Sequence, residues 1–100
     1  MAKTFIEKLL TDPEGKKLYF REDLIFEITE SISKVMKEKR ISKAELSKRA
    51  DISESDITQI LSGDHNVLLT TISDLFYALN SKLSVSVVPV DIISILTGDL

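Results

Sequence analysis

Two helix-start signals only eleven residues apart constrain this chain more than anything else in it. Ser42-Lys43-Ala44-Glu45 sets a serine three residues ahead of a glutamate, and Ser53-Glu54-Ser55-Asp56 repeats the arrangement with Asp56 in the acidic place. In such a capping box the hydroxyl accepts the backbone N–H three residues on, and the acidic side chain reaches back to the N–H of the cap. The first helix therefore starts at Lys43 and has to end near Ala50. The second carries Ile57, Ile60 and Leu61 and stops at Gly63, a residue able to take the left-handed conformation that closes a helix. Two short helices joined by three or four residues must cross steeply. Leu46, Ala50, Ile52, Ile57 and Ile60 supply the inner sides of both helices and the turn, leaving Lys43, Glu54, Ser55, Thr58 and Gln59 to face outward.

The flanking sequence supplies further helices. Thr4 to Leu10 has Phe5, Ile6, Leu9 and Leu10 at helical spacing, and Asp12-Pro13 offers an N-cap followed by proline at the first helical position, so two short helices are expected ahead of residue 23. From Asp23 to Lys39, Leu24, Ile25, Ile28, Ile32, Val35 and Met36 recur every three or four residues, the clearest long helix. After the loop Asp64-His65-Asn66, a last helix begins between Leu68 and Thr71, carries Ile72, Leu75, Phe76 and Leu79 on one face, and ends near Asn80. Leu83-Ser84-Val85-Ser86-Val87 alternates strictly, is rich in β-branched residues and is closed by Pro89, which predicts a strand. This strand has no partner in the chain. Pairing with the same strand of a second subunit satisfies its open edge, and packing as an extended tail is the alternative.

The expected fold is thus mainly all-α, with five to six helices and one C-terminal strand that pairs across a dimer. One hundred residues suffice for one domain. It divides into an N-terminal helical extension (1–22), a core (23–80) holding the helix pair at 42–63, the strand (83–89) and an apolar tail (90–100) whose Ile92, Ile93, Ile95 and Leu96 call for a packing surface. Cysteine is absent, which removes disulfides and thiolate metal sites. His65 is the only histidine, so no transition-metal ligand set forms around it. Cofactors are not expected, nor is enzyme activity, since no nucleophile sits beside a base and no glycine-rich phosphate loop occurs. The N-terminus lacks the features of a signal peptide, and Pro89 and Asp91 break the apolar stretch from Val85 to Leu96 well short of the roughly 20 apolar residues of a membrane span. The cytoplasm is the default compartment, with no membrane role.

The net charge of −3 hides a strong asymmetry. Between Lys34 and Arg49 lie Lys34, Lys37, Lys39, Arg40, Lys43, Lys48 and Arg49 against only Glu38 and Glu45, a local +5 that leaves −8 on the rest. A polyanion responds to the local field rather than to the sum.

Read as a whole, Ser42 to Gly63 resembles the helix-turn-helix of the Xre/Cro-like phage-repressor family, and the resemblance extends in the family's helix order over roughly residues 24 to 80. With the N-terminal extension and the C-terminal strand, the chain looks like the HigA-like antitoxin branch. It departs from the family at Ser47, where alanine is usual, at Asp51, where the turn usually has glycine, and at Lys43, often glutamine. Serine is nearly as small as alanine, aspartate tolerates positive φ, and lysine still reaches a phosphate.

The resemblance implies a lambda-repressor-like DNA-binding domain whose second helix enters the major groove while the first crosses the backbone. Carried over residue by residue, Glu54, Ser55, Thr58 and Gln59 face bases: Gln59 toward adenine, Glu54 toward the cytosine amino group, Ser55 and Thr58 toward base or phosphate. Ser42, Lys43, Ser53, His65 and Asn66 face phosphate. The implied function is that of a sequence-specific transcriptional regulator, a repressor acting as a homodimer on double-stranded DNA with a palindromic operator. The competing reading is an antitoxin whose main task is to bind a partner toxin protein, with DNA binding for autorepression. A third is a helix-turn-helix kept only as an oligomerisation scaffold, which the acidic Glu54 and Asp56 would permit.

Overall fold

The computed structural model of the chain describes residues 12–89. Among them are four helices and no strand: α1 (Pro13–Lys39), α2 (Lys43–Ala50), α3 (Glu54–Leu61) and α4 (Leu69–Ala78). Arg21–Leu83 forms a compact unit of its own.

α1 begins where Asp12-Pro13 predicts, with the Gly15 N–H donating to the Asp12 carboxylate at 3.3 Å. It then runs unbroken for 27 residues. This corrects the expectation of a short helix followed by a separate one from Asp23. No proline follows Pro13 within the helix, and Gly15 lies in the first turn, where its N–H has no intrahelical acceptor to lose. Glu22 and Asp23 are exposed on the helix surface and do not interrupt it. Leu24 is also exposed, at 57%, so the inward stripe of α1 starts at Ile25. The helix expected over Thr4–Leu10 lies outside the described residues, and the count among them is four rather than five or six.

Within Arg21–Leu83 each helix gives at least one fully buried aliphatic side chain to a common core: Ile32 from α1, Leu46 from α2, Ile57 from α3 and Leu75 from α4, joined by Leu79 just after α4, all at 0% exposure. Ile41, Ile60, Ile72, Phe76 and Ala78 complete it, and Ala50, Ile52 and Leu83 pack against its margin. α2 packs on both α3 and α4. The sequence placed Leu46, Ile57, Ile60, Ile72, Leu75, Phe76 and Leu79 on inner faces, and all seven are buried. Losing one such leucine typically costs about 2–5 kcal/mol.

All four helices close the same way. A residue with positive φ follows each helix: Arg40 (φ 55°), Asp51 (φ 57°), Gly63 (φ 97°) and Asn80 (φ 55°). The N–H one residue further on bonds back into the last turn, Ile41 to the Met36 carbonyl at 2.9 Å, Ile52 to Ser47 at 3.2 Å, Asp64 to Gln59 at 3.2 Å and Ser81 to Phe76 at 2.8 Å. This left-handed closure satisfies carbonyls that the helix end would leave unpaired. α4 has a second cap: Lys39 Nζ donates to the carbonyls of Leu79 at 2.6 Å and Asn80 at 3.3 Å, a cation at the negative end of a helix.

The segment read as a strand, Leu83 to Pro89, is irregular. A strand exists through its ladder of hydrogen bonds, and this chain offers no second strand among the described residues to make one. Leu83 packs against the core margin, whereas Val85, Val87 and Val88 are 81%, 93% and 64% exposed. The apolar tail, 90–100, lies outside the described residues.

Arg40 is the one closure made by a residue type that gains nothing from the left-handed region. That conformation costs an L-residue about 1–2 kcal/mol, and glycine's extra backbone entropy returns about 0.5–1 kcal/mol of any gain. Arg40→Gly is therefore expected to stabilise the fold by about 0.5–1 kcal/mol, read as a higher urea midpoint with an unchanged slope. Asn80→Gly should change it less, because asparagine already tolerates the conformation.

Candidate nucleic-acid interface

The geometry of α2 and α3 is set by the turn between them. Ser42 caps α2, its hydroxyl accepting the Glu45 N–H at 3.1 Å, and Ser53 caps α3, accepting the Asp56 N–H at 3.0 Å. The reciprocal half of the capping box is not made at Glu45. Its carboxylate accepts instead from the Arg49 guanidinium at 2.9 Å, a pairing one helical turn along that keeps both groups near water. Asp56 makes no side-chain hydrogen bond among the described residues. Its place in the first turn of α3, with Glu54, still sets negative charge against the positive end of the helix.

Asp51, in the left-handed conformation with φ 57° and ψ 44°, turns the chain out of α2. Ile52 is then tied to Ser47 at both ends of its peptide. Its N–H donates to the Ser47 carbonyl at 3.2 Å, and its own carbonyl accepts from the Ser47 hydroxyl at 2.6 Å. Sequence reading took Ser47 only as a small stand-in for alanine. Its positioning role depends on a bond to a residue across the turn, which spacing alone does not reveal.

On α3 successive residues advance by about 100°, so Glu54, Ser55, Thr58 and Gln59 occupy one arc of about 140°. All four are exposed, while Ile57 and Ile60 point the other way into the core at 0% and 5% exposure. The side chains of Glu54, Ser55 and Gln59 make no hydrogen bond among the described residues. Thr58 is engaged: its hydroxyl accepts from Lys43 Nζ at 3.1 Å, which draws a cation from the start of α2 onto the exposed arc of α3. Lysine has three donors, so two stay available. α3 ends where Ser62 donates to the Thr58 carbonyl at 2.8 Å and Gly63 closes the helix. A Cβ at Gly63 would meet nothing nearer than Ile25 Cγ2 at 3.8 Å, so the demand for glycine there is conformational rather than steric.

The residues expected at phosphate are differently placed. Lys43, Ser42 and Ser53 stand exposed at the starts of α2 and α3. The two serines use a lone pair in capping and keep the hydroxyl proton to donate. In the following loop the Asn66 N–H donates to the Asp64 carboxylate at 2.9 Å, which leaves the exposed amide of Asn66 outside that turn. His65 has an internal partner: its Nε2 lies 2.6 Å from Glu22 Oε1 on α1, with both side chains about half exposed. Nothing at sequence level pairs residues 43 positions apart.

The sequence model of the Cro/C1-type HTH DNA-binding domain family matches residues 31–84, more than half of the chain. No curated protein and no solved structure matches the chain significantly. The matched span contains the last turns of α1, all of α2, α3 and α4, and the exposed arc of α3.

Because the Ser53 hydroxyl supplies the only side-chain cap of α3 among the described residues, Ser53→Ala is expected to cost about 1 kcal/mol of stability, measured by thermal or urea unfolding. Ser53→Asp, which restores an acceptor, should recover most of it.

Proposed function

The chain belongs to the Cro/C1-type HTH DNA-binding domain family, and from that premise we propose that it is a sequence-specific transcriptional regulator, a repressor acting in the cytoplasm as a homodimer on a palindromic operator. The observation that carries the reading is the arc of Glu54, Ser55, Thr58 and Gln59, four exposed polar side chains on a helix whose opposite side is buried. A helix set this way enters a major groove with its donors and acceptors toward base edges. Gln59 bonds adenine through both ends of its amide, Glu54 accepts from cytosine, and Ser55 and Thr58 serve base or phosphate. Lys43, Ser42, Ser53 and Asn66 take phosphates on either side, and His65 joins them on release from Glu22.

The exposed Val85, Val87 and Val88 support the dimer. Pairing this segment with its copy in a second subunit supplies a ladder that is absent among the described residues and covers the valines. Two recognition helices then face half-sites about 34 Å apart, one turn of DNA. The same valines lend support to a second reading, an antitoxin that covers them with a partner toxin and binds DNA for autorepression.

The DNA reading is tested on the fragment upstream of the gene at two salt concentrations. Wild type should bind specifically and lose affinity steeply as salt rises. Gln59→Ala should lose roughly 1–3 kcal/mol of discrimination, about ten- to a hundredfold, at one base pair of each half-site. Absence of binding even at low salt would refute the regulator reading.

Sedimentation of the purified chain tests the dimer. Wild type should run as a dimer and Val87→Lys as a monomer with unchanged helix content, since Val87 is 93% exposed in the single chain. A wild type that is monomeric at every concentration would favour the partner-protein reading.

A further inference from the structure

The seven basic residues between Lys34 and Arg49 cease to be equivalent once the chain folds. Lys39 is committed to the carbonyls at the end of α4, and Arg49 to Glu45. Lys37, Arg40 and Lys43 instead line one open groove of about 510 Å³, together with Ser42 at the start of α2 and Leu61 at the end of α3. Lys37 and Arg40 are exposed, and neither side chain has a hydrogen bond or ion pair among the described residues. The third cation, Lys43, touches Thr58 on the exposed arc of α3, so the groove these cations line and the base-facing arc adjoin.

Arg40 stands out for a second reason. Of the four left-handed closures, Asp51, Gly63 and Asn80 use residue types that adopt the conformation at little cost, whereas Arg40 does not. The backbone there would be better served by glycine. Strain kept at one position points to a task for the side chain it carries, and an arginine lining an open groove beside Lys37 and Lys43 offers a planar guanidinium fork matched to phosphate oxygens.

We propose that Lys37, Arg40 and Lys43 form a clamp for the phosphodiester backbone of DNA beside the recognition helix, with Arg40 as its anchor. The proposal rests on the DNA-binding reading and deepens it. α3 brings Glu54 and Asp56 toward a polyanion and has no basic residue in its last turn, so the attraction that holds it in the groove has to come from its surroundings. Phosphate is preferred over the carboxylates of an acidic protein segment because the clamp shares Lys43 with the base-facing arc, and one duplex can engage both.

The test uses the full chain with two duplexes of equal length, the upstream fragment and an unrelated sequence, over a range of salt concentrations, together with an acidic polypeptide, poly-glutamate, as the rival ligand. Arg40→Gly should weaken binding to both duplexes by a similar factor and flatten the dependence of log K on log salt by about 0.9 per bound subunit, while the thermal midpoint rises, so that a loss of binding cannot be ascribed to unfolding. Arg40→Lys, which returns the charge, should restore most of the slope. An unchanged slope on both duplexes overturns the clamp, as does a variant that binds DNA normally yet loses poly-glutamate. A wild type that binds neither duplex at low salt overturns the DNA reading itself, a result distinct from failure of the clamp.

Discussion

Three residues must carry the chain from the end of α2 to the start of α3, and every property of the candidate interface depends on how they do it. Asp51 leaves the helix in the left-handed conformation, and Ile52 is held to Ser47 through both its N–H and its carbonyl. With the peptide of Ile52 fixed, the direction in which Ser53 opens α3 is fixed as well. The core then enforces the rotation of α3 about its axis, because Ile57 at 0% and Ile60 at 5% exposure cannot turn outward without opening a cavity. The exposed arc is therefore a consequence of burial on the opposite side. Its four polar residues need no interactions of their own to be placed, and Glu54, Ser55 and Gln59 have none within the described chain.

What could be read from the sequence is what local chemistry dictates. Serine hydroxyls paired with N–H groups three residues on set the starts of α2 and α3 within a residue, and apolar spacing identified the buried faces of α2, α3 and α4. Asp51 took the left-handed conformation that its residue type allows. The misreadings arose where a rule of short range was asked about something longer. Apolar spacing begins the long helix at Asp23, just before Leu24, the first residue of the apolar repeat, although nothing ahead of it breaks a helix, and α1 runs back to Pro13. Alternation at 83–87 signals a preference for pairing, yet pairing requires a second strand, and none occurs among the described residues. Glu45 has two partners within reach, the cap behind it and Arg49 ahead, and only the folded geometry decides between them.

Tertiary bonds were invisible for the same reason. Lys39 belongs by sequence to a basic run, yet it caps a helix forty residues away. His65 has the loop position expected of a phosphate contact, yet faces Glu22. In both cases a group counted as available to an anion has an internal acceptor. The local +5 of residues 34 to 49 therefore overstates what a ligand would meet, and the location of the remaining charge matters more than its amount.

That sorting also gives the net charge of −3 a physical meaning. An acidic chain can still attract DNA if its uncompensated cations gather where the polyanion lies and its carboxylates are matched elsewhere. Glu45 is paired with Arg49, Glu22 is hydrogen-bonded to His65, and Glu54 and Asp56 lie in the positive field at the start of α3. Lys37, Arg40 and Lys43 line a common groove at the edge of the recognition helix. The fold thus separates its charges by use: one set closes helices and pairs across turns, and the other faces solvent beside the arc. Arg40 lies on the border between the two sets, since its backbone closes α1 at a cost in strain and its side chain enters the groove. At position 40 local stability and surface charge make opposite demands, and under the proposed clamp the charge is the one that prevails.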